Sequence, residues 1–105
     1  MISINHHASP LVADAAAVRL ALGKLPVLAA MRSVFQALAQ EQAVQPAQTV
    51  TVFPQGAGDF ITYLGALSNE QVFGAKLSPY LVTGGRPIVT AWTSLMSMQT
   101  GQPLL

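Results

Sequence analysis

The apolar residues of this chain change their period at Pro46, and that switch constrains the fold more than anything else in the sequence. Before it, Val27, Leu28, Met31, Val34, Phe35 and Leu38 recur at spacings of three and four. That spacing makes one apolar stripe on a helix, with Arg32, Gln36, Gln40 and Glu41 off it. The spacing predicts a helix from Pro26, a residue suited to a first turn, to about Gln42. An alanine-rich, helix-prone segment, Val12 to Leu22, precedes it, with Ser9-Pro10 as its entry and Gly23 as its stop. After Pro46 the residues alternate instead. Strands are predicted over Thr49–Phe53, Asp59–Leu64, Val72–Ser78 and Ile88–Met98, separated by glycine- and proline-containing turns. Met1 to Asn5 also alternates and could form a short strand. Helices first and strands afterwards predict an α+β fold: N-terminal helices packed on a mostly antiparallel sheet.

A chain of 105 residues supports a single domain, here 1–105. Hydrophobic residues make up 51% of it and charged residues 9%, against a usual charged share of about 25%. So few charges cannot cover a small monomer, so part of the apolar surface should pack on a second copy or on further polypeptide. The last predicted strand, apolar on both faces, points the same way. The end at Pro103-Leu104-Leu105 looks like the start of another strand, so a truncated domain is expected. A net charge of +1 with no basic cluster leaves no electrostatic footprint for nucleic acid. Cysteine is absent, which excludes disulfides and thiolate chemistry. No basic-then-apolar leader and no apolar run near ~20 residues is present, so a cytoplasmic protein with no membrane partner is expected.

Lys76 is the residue most in need of a reason, being a cation set in a strand-like apolar segment. On an extended chain it shares a face with Gly74 and Ser78. Two readings stay open: a lysine on a solvated sheet face, or one aimed into a cleft where Gly74 leaves room for a ligand. Thr90, on the face of Ile88 and Trp92, could offer a hydroxyl to the same ligand. Gln48 could hydrogen-bond a carboxylate or amide. Arg86, beside Gly84-Gly85, fits a solvated turn. His6 and His7 are adjacent and point to opposite faces, with no third ligand near, so no metal site is expected. Gly56-Ala57-Gly58 lacks the third glycine and following helix of a dinucleotide loop and reads as a hairpin turn.

Taken in order, Pro46-Ala47-Gln48-Thr49, Gly74-Ala75-Lys76, Gly85-Arg86-Pro87 and Thr100-Gly101-Gln102-Pro103-Leu104 resemble the ornithine cyclodeaminase/mu-crystallin family. The likeness is collinear from about Leu11 to Leu105. Gly-Ala-Lys-Leu-Ser-Pro-Tyr with Val-Thr-Ala-Trp-Thr is most similar to the branch that reduces cyclic imines such as Δ1-pyrroline-2-carboxylate and Δ1-piperideine-2-carboxylate. The resemblance implies a dimeric, two-domain NAD(P)H-dependent enzyme, of which this chain covers the substrate and dimerisation part and lacks the Rossmann domain. It implies that Lys76 contacts substrate near the reacting centre, that Gln48 and Thr90 complete the substrate site, and that this chain alone binds no cofactor. Members often carry arginine at the Gln48 position, and Ile88 replaces a polar residue of ornithine cyclodeaminases. Both departures weigh against ornithine and toward a neutral-ring imine.

Three functions follow as expectations. The first is the substrate part of a cyclic-imine (ketimine) reductase, with Lys76 as the catalytic residue. The second is a fragment of ornithine cyclodeaminase. The third is a non-catalytic chain that only self-associates.

Overall fold

The structure, a computed structural model, describes residues 10–105; the predicted Met1–Asn5 strand and the His6–His7 pair lie outside them. Two helices, α1 (Ala15–Leu22) and α2 (Val27–Ala39), precede six strands. The strands are β1 (Ala43–Val44), β2 (Thr49–Val52), β3 (Gly58–Leu67), β4 (Val72–Leu81), β5 (Ile88–Val89) and β6 (Trp92–Ser97). Every ladder among them is antiparallel. The architecture is the expected α+β arrangement of helices followed by an antiparallel sheet, with no Rossmann unit among the described residues.

Helix α1 begins later than the alanine-rich run suggested. Asp14 holds an extended backbone, and its carboxylate accepts the Ala17 N–H at 2.8 Å, so the cap rather than the composition sets the start. Pro26 stands just outside α2 as its N-cap, and its carbonyl accepts the Ala30 N–H at 2.9 Å. The helix ends at Ala39, short of Gln42, because the chain turns through Glu41 at a left-handed φ of 59°.

The sheet is built on one long hairpin. β3 and β4 pair along their full length, from Gly58 opposite Leu81 to Leu67 opposite Val72. The turn between them is pinned to the end of α2, since both the N–H and the hydroxyl of Ser68 donate to the Gln42 carbonyl, at 2.8 and 2.9 Å. β1 and β2 share the outer edge of β3, while β5 and β6 share the outer edge of β4. Between β1 and β2 the register slips. Val44 faces Ala66 but Thr49 faces Thr62, so residues 45–48 run beside only 63–65. One residue is therefore extra, and Pro46, which has no N–H for the ladder, falls within this bulge.

The expected strand Ile88–Met98 is divided, with Thr90 and Ala91 unpaired between β5 and β6. The cause is across the ladder. Thr90 donates its N–H to the Pro79 carbonyl at a long 3.4 Å, and Pro79 has no N–H to return. The register does not shift across the gap: Tyr80 faces Val89 and Leu77 faces Trp92. Beyond β6, Leu104 donates to the Leu95 carbonyl at 2.7 Å and Leu95 to that of Leu105 at 2.9 Å, so the last residues do add an edge.

Packing is sparse. Ala37, 2% exposed, is the one buried residue among those described. The α2 stripe forms as the period requires, yet Leu28 is 67% and Phe35 65% exposed. On β5 and β6, Trp92 is 64% exposed and Val89 is exposed as well. The accessible area of 8448 Å² compares with roughly 5,600 Å² for a compact monomer of 11.0 kDa.

Candidate functional site

Residues directly opposed in an antiparallel ladder project from the same face, so the register assigns every strand residue to one of two faces. Lys76 on β4 is flanked by Tyr63 on β3 and Thr93 on β6. The next row along the same face is Gly65, Gly74 and Leu95, and the row after that contains Leu67 and Val72. These rows form the floor of a cavity of about 560 Å³ whose opposite wall is the α2 stripe at Met31, Val34, Phe35 and Leu38. Ala43 and Gln45 close the β1 side. Lys76 is the one charged residue among the lining residues.

Gly74 sits beside Lys76 as the alternation predicted, but its missing side chain is already used. A Cβ there would run into the Ser94 carbonyl of β6, so glycine is what lets β6 approach β4 next to the lysine. Gly65, opposite it, is under no such demand: the nearest atom to a Cβ would be the Val44 carbonyl oxygen at 3.8 Å.

Lys76 is exposed toward the cavity, and its ammonium lies 5.2 Å from the centroid of the Tyr63 ring. No acid stands in its row. Asp59, the one acid of β3, faces Tyr80 at the far end of the hairpin. Gln48 immediately precedes β2, whose paired register ends at Thr49–Thr62, and it is not among the residues that line the cavity; the amide on that side of the lining is that of Gln45. Thr90 does not join the row of Lys76. It opposes Pro79, whose neighbour Tyr80 shares the Lys76 face, so Thr90 belongs to the other side of the sheet. The hydroxyl in the Lys76 row is that of Thr93. A strict count of alternation from Lys76 across the β4–β6 hairpin would have found it, but the turn at residues 82–87 could not be measured from sequence. Arg86 lies exposed in that turn, where its carbonyl accepts the Thr83 hydroxyl at 2.9 Å.

A largely apolar cavity with one cation and the hydroxyl-bearing Tyr63 and Thr93 on a common row suits a small ligand with an apolar body and a carboxylate. Gly56-Ala57-Gly58 leads from a short 3-10 turn into antiparallel β3, and no helix follows it among the described residues. Those residues form no cluster of three metal-ligating side chains, and none of their helices is long and apolar enough to cross a membrane.

No family model matches the chain. It is 57% identical over 98 residues to the NAD(P)H-dependent anabolic L-arginine dehydrogenase DauB of Pseudomonas aeruginosa. That match takes in 93% of this chain and 31% of the relative. The chain is therefore a partial homologue of an NAD(P)H-dependent amino-acid oxidoreductase, spanning less than a third of that protein's length.

Proposed function

We propose that this chain is the substrate-binding and dimerisation part of a longer NAD(P)H-dependent oxidoreductase of the ornithine cyclodeaminase/mu-crystallin family, one that reduces the C=N bond of an imino acid. The observation carrying this reading is the 57% identity to the L-arginine dehydrogenase over 98 residues. An amino-acid dehydrogenase working in the anabolic direction acts on the imine of a 2-oxo acid, a substrate with a carboxylate beside its reacting carbon. Lys76 would hold that carboxylate at one end of the cavity, with Thr93 as a neutral hydrogen-bonding group in the same row. The apolar floor and the α2 stripe would exclude water from the rest of the ligand. The nicotinamide cofactor would be held by polypeptide other than the described residues. The exposed α2 stripe and the large accessible area support pairing with a second copy.

On identity alone the substrate is the imine of 5-guanidino-2-oxopentanoate, the 2-oxo acid corresponding to arginine. A second reading, a cyclic imine such as Δ1-pyrroline-2-carboxylate, is favoured by one observation: the cavity lining contains no acid to receive a guanidinium. The test is NAD(P)H oxidation by a polypeptide joining this chain to its nucleotide-binding part. The guanidino-oxo acid with ammonia, the cyclic imine, and ornithine with NAD are offered separately. Turnover of the first assigns an arginine-type dehydrogenase and of the second a ketimine reductase. Ornithine turnover alone, or none at all, overturns the proposal and leaves cyclodeaminase or self-association respectively.

A further inference from the structure

The ammonium of Lys76 has an aromatic partner where a structural lysine would ordinarily have a carboxylate. Tyr63 faces it directly across the β3–β4 ladder, and Nζ lies 5.2 Å from the ring centroid, inside the range of a cation–π contact. The row is completed by Thr93, a neutral residue, and the cavity lining holds no acid. The chemical difference matters. A carboxylate in place of Tyr63 would orient the lysine but also neutralise it and occupy its N–H donors. The face of a ring attracts the cation without accepting all three of them, so the charge stays available to an incoming anion.

We infer that Tyr63 is a positioning residue that holds the Lys76 ammonium toward the cavity with its N–H donors open to a carboxylate. The inference deepens the proposed substrate site and rests on that reading for the ligand, though not for the contact. The Tyr63 hydroxyl is dispensable in this arrangement; the ring is what acts.

Two measurements on the polypeptide that joins this chain to its nucleotide-binding part test it. In NMR spectra, ring current should move the Lys76 CεH2 protons upfield in wild type and in Tyr63→Phe, and release them in Tyr63→Leu. Titration with pyrrole-2-carboxylate, a planar carboxylate probe, should give near-equal affinity for wild type and Tyr63→Phe. Tyr63→Leu should weaken binding roughly two- to fivefold, the scale of an exposed cation–π contact. Tyr63→Glu should weaken it roughly tenfold or more, because a carboxylate there neutralises Lys76 and repels the probe. Lys76→Met should remove the difference between the Tyr, Phe and Leu forms at position 63. The inference is overturned by an absent ring-current shift, by failure of wild type to bind the probe, or by equal affinities for the Leu, Glu and wild-type forms. If the affinity order holds but the joined polypeptide reduces no imine, the assigned reaction fails and the role of Tyr63 stands.

Discussion

Replacing Gly74 with alanine perturbs the site through the backbone, and the structure fixes both its size and its control. The new Cβ would collide with the Ser94 carbonyl, a backbone atom of β6 that cannot rotate aside as a flexible side chain could. Relief requires β6 to move away from β4, stretching the ladder that opposes Lys76 to Thr93. Overpacking of this kind costs about 1–3 kcal/mol. For a domain of this size each kcal/mol lowers the melting temperature by about 4–8 °C. The matched control is Gly65→Ala on the same row, where the nearest atom lies at 3.8 Å, an ordinary contact. There alanine should be neutral or stabilising by about 0.4–1 kcal/mol, through lost freedom in the unfolded chain. Urea denaturation of both variants and wild type, followed by circular dichroism, measures the difference. Gly74→Ala should also weaken binding of a carboxylate probe. Equal stability of the two alanine variants would refute the close approach of β6, and with it the placement of Thr93 beside Lys76.

Asp14→Ala removes the side-chain cap of α1 and should cost about 1 kcal/mol, visible as lost helical signal at 222 nm, with Asp14→Asn close to wild type. In the polypeptide that includes the nucleotide-binding part, Lys76→Ala should abolish imine turnover while gel filtration shows the dimer intact. Near-normal kinetics would return Lys76 to a solvated sheet face. Phe35→Glu, which puts a charge on the exposed α2 stripe, should shift a dimer to monomer by light scattering without unfolding the monomer. The 105-residue chain alone should show no binding of NADPH by calorimetry, and tight binding would contradict the division of labour proposed above.

The elements were legible because each rests on a local pattern. The three-and-four spacing from Val27 to Leu38 produced a helix, and alternation after Pro46 produced antiparallel strands. What the pattern could not supply was set by partners distant in sequence. The start of α1 depends on one hydrogen bond to Asp14, which alanine content does not report. The split between β5 and β6 is caused by Pro79, in a different strand, and no property of residues 88–98 announces it. Lys76 could be singled out as a cation in an apolar segment, but its neighbours could not. Tyr63 reaches it through the β3–β4 register, and Thr93 replaces Thr90 because a hairpin turn determines which residues oppose one another. The α2 stripe was read correctly as apolar, whereas its exposure reflects surroundings that no periodicity contains.

The extra residue between β1 and β2 works as a phase change. Along β1, Ala43 shares the Lys76 face, and unbroken alternation would place Thr49 on that face too. The slip at residues 45–48 reverses the parity, so Thr49 falls in line with Thr62 and Leu77 on the other side and Val50 takes the Lys76 face. Insertions and deletions in this short stretch are thus not neutral spacing changes: one residue more or less exchanges which side chains of β2 share the Lys76 face, with the ladders on either side left whole.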